Sequence, residues 1–245
     1  MITHFLAFIP VFLCWGSFLN VVAYRLLINE SFVCKRSYCP HCKHKIAWYD
    51  LIPLISFFLL KGKCRYCHKK ITWLYPFIEI ATALIFTLMI IFIEPSYWLG
   101  YGIFFSALIV NIRTDLQKMV IPRITSLYLA PIGCICAFLK LLPISFYQSL
   151  MGSIFGYFTL FIIAKTFYYT TKKQGLGEGD FDLLALIGAF TGIQGAWMSL
   201  FIGSVAGSII GIFLILVEKY SRNTKIPFGP FLAFGALFYL FSIFL

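Results

Sequence analysis

Acids are what this chain has least of. Nine Asp and Glu stand among 245 residues beside 20 Lys and Arg, and charged residues of both signs make up only 12% of the sequence. A soluble globular domain carries about 25%. With 61% hydrophobic residues and a mean hydropathy of +0.91, that scarcity excludes a soluble globular domain. Low-complexity linkers are missing, and no internal repeat is evident. The chain also lacks the full glycine fingerprint of a dinucleotide site and any strand in a βαβ unit to precede it.

What the chain has is apolar runs. Runs close to the length of about 20 residues that crosses a bilayer as a helix cover 5–24, 76–93, 97–112, 126–142, 146–164, 182–193, 195–217 and 228–245. The expected fold is therefore an all-α polytopic membrane protein of about eight transmembrane helices, the sixth of them short. The first run has no Lys or Arg ahead of it and Arg25 just behind it. This is the reverse of a cleavable signal, so it is expected to stay as an anchor. Residues 1–25 are read as the first helix, 26–75 as a small cytoplasmic insert, and 76–245 as a seven-helix core.

Basic residues gather in cytoplasmic connections, and here they divide cleanly. Nineteen of the 20 Lys and Arg fall in alternate loops; Lys140 is the exception. The basic loops are expected in the cytoplasm and both termini outside. The net charge of +11 follows from this bias and from affinity for anionic lipid, so nucleic acid is not expected as a partner.

The insert holds five of the eight cysteines. Cys39-Pro-His-Cys42 and Cys64-Arg-Tyr-Cys67 form two CxxC pairs, a spacing that closes a four-sulfur shell around structural zinc. A disulfide reading conflicts with the reducing cytoplasm. An insert this small has little core and needs such a staple. His41 is expected to be a bystander and Cys34 is ambiguous. Cys14, Cys134 and Cys136 lie in apolar runs and read as small buried hydrophobes. The stretch "LIPLISFFLL", 51–60, is too short to span and reads as buried core or as a piece lying on the membrane surface.

The chain has four aspartates. Asp115 follows the third run and Asp180 precedes the sixth, so topology puts both at one depth on the cytoplasmic face. Two carboxylates that share a site hold a proton between them. Such a pair can activate water and protonate a scissile carbonyl or a leaving amine. Gly175, Gly177 and Gly179 are expected to allow a tight turn and the close approach of a substrate strand. Other readings stand beside this one. Asp180 suits an N-cap, and Asp115 suits an ion pair with Arg113 or Arg123. Glu178 and Asp182 suit solvated or first-turn acids, and Asp50 an Asx-turn. Intramembrane acids also serve proton relays, so a proton-coupled transporter and a non-catalytic scaffold are competing functions.

The residues together resemble the bacterial type IV prepilin peptidases, leader peptidase and N-methyltransferase enzymes of the GxGD aspartic protease family. The resemblance rests on "GSFLNVVAYR" (16–25), "CPHC", "IAWYDLIPLISF", "CRYC", "YPFIE", "DLQKMVIP" (115–122), "GLGEGD" (175–180) and "IPFGPFLAFG" (226–235), in order along nearly the whole chain. It implies that Asp115 and Asp180 are the catalytic pair, with Gly177, Glu178 and Gly179 next to the substrate. It implies cleavage of the basic leader of type IV prepilins or pseudopilins after a glycine. It also implies methylation of the new N-terminal residue with S-adenosylmethionine, a step associated with the two-knuckle insert. Three positions depart from the family pattern. Arg123 stands where an acid or amide is common after "IP", Asp182 where Lys is common, and Leu176 where Met is common.

Overall fold

The computed structural model describes residues 7–31, 36–172, 175–217 and 226–244. Its helices are α1 (Ile9–Leu27), α2 (Ile55–Leu59), α3 (Leu74–Phe92), α4 (Trp98–Lys118), α5 (Ala130–Phe138), α6 (Phe146–Thr171), α7 (Glu178–Val217) and α8 (Gly229–Phe244). No strand occurs among the described residues, only two isolated bridges in the insert. Among the described residues five helices are long and apolar enough to cross a membrane: α1, α3, α4, α6 and α7. The segment Arg123–Phe138 and α8 are shorter apolar helices. The chain forms two compact units, Met1–Ile91 and Phe92–Leu245.

In the first unit α1 and α3 pack where Gly16 leaves no room for a side chain. A Cβ there would sit 2.9 Å from the Glu79 Cα and from the Thr82 side chain. The Phe12 and Phe86 rings meet at 5.5 Å, and Asn20 Nδ2 donates to the Tyr75 carbonyl at 3.2 Å. Close approach at small residues and interhelical polar bonds replace the hydrophobic driving force that lipid does not supply. Glu79, buried in α3, accepts the Leu54 N–H at 3.0 Å, and Leu54 carries a φ of 60°. The 51–60 stretch is partly buried, as one of the two readings expected, and partly exposed. Phe57 is buried and packs on Trp73 at 4.9 Å, while Ile55, Phe58 and Leu59 are exposed.

In the second unit the helix ends are written in the sequence. Ser145 and Gln148 form a reciprocal capping box at the start of α6. α4 stops at Met119, whose left-handed backbone (φ 54°) sends its N–H to the Asp115 carbonyl at 2.8 Å. Three residues on, Pro122 prevents helical continuation. The run expected at 126–142 is not one helix. Two short 3-10 turns, Arg123–Thr125 and Leu127–Leu129, precede the nine-residue α5.

The expected sixth and seventh spans are joined as α7, whose only non-helical residue is Gly192 (φ 74°, ψ −175°). A left-handed φ of this size favours glycine. Contacts show that the chain doubles back there. The first arm packs on α6, with Gly188 opposite Gly152 and Leu184 opposite Gly156. The second arm packs on α8, with Ser199 Oγ donating to the Leu232 carbonyl at 2.7 Å and Gly207 against Phe228 and Phe231. Residue 207 therefore returns to the level of Gly229, which touches Asp115.

The α6–α7 contact is close enough for substitution to test it. A Cβ on Gly152 would fall on the Gly188 carbonyl oxygen, whereas one on Gly211 meets only the Ile226 Cδ1 at 3.6 Å. Gly152→Val is expected to cost about 3 kcal/mol of stability by overpacking and Gly211→Val almost nothing. Thermal unfolding in detergent checks the difference.

Candidate active site and metal centre

Asp115 and Asp180, far apart in sequence, meet at one end of the second unit. Asp115 lies in the last turn of α4 and is 5% exposed; its Oδ2 accepts the N–H of Gly229 at 2.9 Å. Asp180 lies in the first turn of α7 and is 8% exposed; its Oδ2 accepts the N–H of Gly177 at 3.2 Å. Ile121 brackets the pair from one side. Its Cβ is 2.7 Å from the position of a Gly179 Cβ, and its Cδ1 is 3.3 Å from that of a Gly229 Cβ. Among the described residues each acid has one oxygen held by a backbone amide and one with no hydrogen bond. Each is oriented while keeping an oxygen for chemistry.

The other readings of these acids resolve against this geometry. Asp180 is not the N-cap. It is the third residue of α7 and reaches back to the amide ahead of the helix, the acidic half of a capping box. Asp115 makes no ion pair among the described residues. None of Gly175, Gly177 and Gly179 has a positive φ, and Gly175 and Gly179 matter through size. A Cβ on Gly175 would meet the Phe167 ring at 2.8 Å, one on Gly177 the Asp180 Oδ2 at 3.4 Å, and one on Gly179 the Ile121 Cβ. Gly229 belongs to the candidate site, although the sequence reading did not single it out. A Cβ there would sit 2.8 Å from the Asp115 Oδ2, where the amide must come close.

Asp182 is 2% exposed, not solvated, and Arg123 Nε lies 3.3 Å from its Oδ2. Arg123 Nη2 donates to the Glu178 Oε2 at 2.9 Å. The two charged departures from the family pattern thus face each other.

In the first unit the sulfurs of Cys39, Cys42, Cys64 and Cys67 all lie within 4.8 Å of one another, with Cys39 and Cys67 at 3.9 Å. Four sulfurs at 2.3 Å from one tetrahedral ion stand about 3.8 Å apart, so the cluster fits zinc. None of the four is in a disulfide. The Cys67 amide favours the thiolate form of Cys64, the form that binds metal. His41 is not part of the cluster, and Cys34 lies outside the described residues.

The two knuckles are copies offset by 25 residues. Bridges join Tyr38 to Lys45 and Lys63 to Lys70. The Cys39 and Cys64 amides donate to His44 and Lys69, and Lys43 and His68 share a positive φ. A short repeat is therefore present where none was expected. Its trace in sequence is "CPHCKHKI" beside "CRYCHKKI". Arg65 of the second knuckle forms a two-pronged bond with Asp50 at 2.6 and 2.9 Å, which makes Asp50 structural and holds its carboxyl below the usual range.

Comparison with known proteins follows the same division of the chain. Residues 11–93 match the bacterial peptidase A24 N-terminal domain, and residues 103–212 match the type IV leader peptidase family. The chain is 33% identical to a prepilin leader peptidase/N-methyltransferase of Aeromonas hydrophila, over 89% of this chain and 83% of that protein. Proteins of the same name from Pseudomonas aeruginosa (31% identical, 89% and 83% covered) and Legionella pneumophila (30%, 92% and 87%) are similar to it. No solved structure matches the chain.

Proposed function

Because the chain belongs to the type IV leader peptidase family, we propose that it is an intramembrane aspartic endopeptidase, with Asp115 and Asp180 as its catalytic pair, that removes the basic leader of type IV prepilins or pseudopilins. The observation that carries this reading is the meeting of two buried, amide-held carboxylates from opposite ends of two helices. One carboxylate takes a proton from the attacking water while the protonated one hydrogen-bonds the scissile carbonyl oxygen. The tetrahedral intermediate then collapses, and the leaving amine takes up a proton from the pair. A transporter would set acids along a path through the membrane, whereas this pair gathers at helix ends.

The positive-inside count supports a site facing the cytoplasm in the bacterial inner membrane, with both termini outside. A pilin precursor, a hydrophobic helix behind a basic leader, would present its cleavage point at that depth. The exposed Trp48, Ile55, Phe58, Leu59 and Trp73 support contact between the insert and the lipid surface. Zinc in the Cys39, Cys42, Cys64 and Cys67 cluster would hold residues 26–75 as a folded module. The names of the relatives support N-methylation of the new N-terminus, a step for which S-adenosylmethionine would supply the methyl group. Among the described residues no strand-borne glycine loop exists to hold that donor as a soluble βαβ transferase does.

Incubation of purified protein with a synthetic pilin precursor, with and without S-adenosylmethionine, tests the reading by intact mass. Loss of the leader and gain of one methyl group are the expected shifts; an unchanged precursor refutes the first activity and an unmodified product the second. Cleavage after glycine is expected on steric grounds, because a larger side chain would clash with the packed 175–180 backbone. Replacing that substrate glycine by leucine should lower cleavage about a hundredfold or more, measured as initial rate.

A further inference from the structure

We infer that Arg123 is a positioning residue for the reaction: by bridging Glu178 and Asp182 it fixes the segment that follows Asp115 against the helix that carries Asp180. The inference rests on the catalytic reading of that pair and concerns what sets its geometry.

Glu178 and Asp182 are one helical turn apart, so their side chains share a face of α7, and Asp180 stands midway between them in sequence. Arg123 reaches both, with Nη2 at 2.9 Å from Glu178 and Nε at 3.3 Å from Asp182. The two contacts are unequal. The Glu178 side chain is 81% exposed, and an exposed pair contributes little. The Asp182 side chain is 3% exposed, and its Oδ2 has no hydrogen bond among the described residues. A buried carboxylate of this kind depends on its counter-charge, because removing one partner strands the other away from water.

Arg123 is also well placed to transmit the constraint. Two residues before it, Ile121 fills the space between Gly179 and Gly229, and Gly229 holds the Asp115 carboxylate. Behind it the segment is already fixed to α4. Thr125 Oγ1 donates to the Asn111 Oδ1 at 2.6 Å, Asn111 Nδ2 donates to the Thr125 carbonyl at 2.9 Å, and Ser126 Oγ donates to the Pro122 carbonyl at 2.9 Å. The charge bridge is the polar tie from this segment to α7. Loss of the bridge lets Ile121 shift and moves Asp180 relative to Asp115, and a displacement of about 1 Å at such a pair can cost a hundredfold in rate.

The test uses purified full-length protein and a synthetic pilin precursor, with kcat, KM and melting temperature measured for each variant. Arg123→Glu and Asp182→Lys are each expected to lower kcat at least about tenfold with KM within about threefold. Combined, they restore a bridge of opposite polarity and should bring kcat back to within about threefold of the parent, where independent effects would multiply. Should Arg123→Glu fail to fold, Arg123→Gln is measured against Arg123→Lys, with the lysine variant expected to retain more kcat than the glutamine. Single variants with parental kcat overturn the inference. So does a double variant no better than the worse single, or a kcat loss that only tracks the fraction of folded protein. Asp180→Asn is the control: activity in that variant sinks the catalytic reading itself, whereas an inactive control beside a flat Arg123 series sinks only the positioning role.

Discussion

Asp180→Asn and Asp115→Asn should each abolish leader cleavage, with a fall in kcat of about a thousandfold or more, while the protein still folds. Asparagine has nearly the size of aspartate and keeps an amide oxygen that can accept the Gly177 or Gly229 N–H. What it loses is the ability to take a proton from water or to pass one to the scissile group. Residues that act as one unit do not add their effects, so the double variant should be hardly slower than either single. Accumulation of uncut precursor in both single variants, with melting temperatures near that of the parent, is the expected result. A scaffold would keep its function through both changes, and a transporter would lose flux without precursor accumulating.

Metal removal should have an effect of comparable size on the insert. Among the described side chains between 36 and 73 only Cys39, Pro53 and Phe57 are buried, and so small a core cannot offset the entropy of ordering the segment. Structural zinc contributes about 10–16 kcal/mol in comparable small folds. We therefore expect one zinc per chain by elemental analysis. A strong chelator, or Cys64→Ser, should speed amide exchange across 36–73 by about a thousandfold or more. Methyl transfer should be lost with the fold of the insert, while exchange in α6 and α7 stays unchanged. Protected insert amides after complete metal removal would show that the cluster is not what holds the segment together.

The positions of the long helices were legible in the sequence because hydrophobic runs report burial in lipid directly. The ends and breaks were less so. The run at 126–142 is largely apolar, yet Pro122 and the hydrogen bonds among Asn111, Thr125, Ser126 and Pro122 make its first part a set of tight turns. Composition does not register such bonds. Likewise "TGIQG" reads as an ordinary loop, while the reversal is made at the single residue Gly192.

The candidate site was legible in part. Asp115 and Asp180 stood out because acids are rare in this chain, and the cysteines because their spacing is specific. Gly229 did not stand out. Its role is to let an amide approach a carboxylate 114 positions away in sequence, and nothing local marks that. Arg123 and Asp182 looked like two separate departures from the family pattern. Their opposite signs were the available clue, and only the fold shows them facing each other.

Cross-linking tests most directly whether residues 115 and 180 occupy one site. Cysteines would replace Asp115 and Asp180 in a chain whose Cys14, Cys134 and Cys136 are serine, and a short bifunctional thiol reagent would be applied to the folded protein. Mass spectrometry of the digest should then show the α4 terminus joined to the α7 start in high yield, with no such product after denaturation. Absence of that cross-link in folded protein, with both cysteines still reactive to a single-ended reagent, would contradict the account.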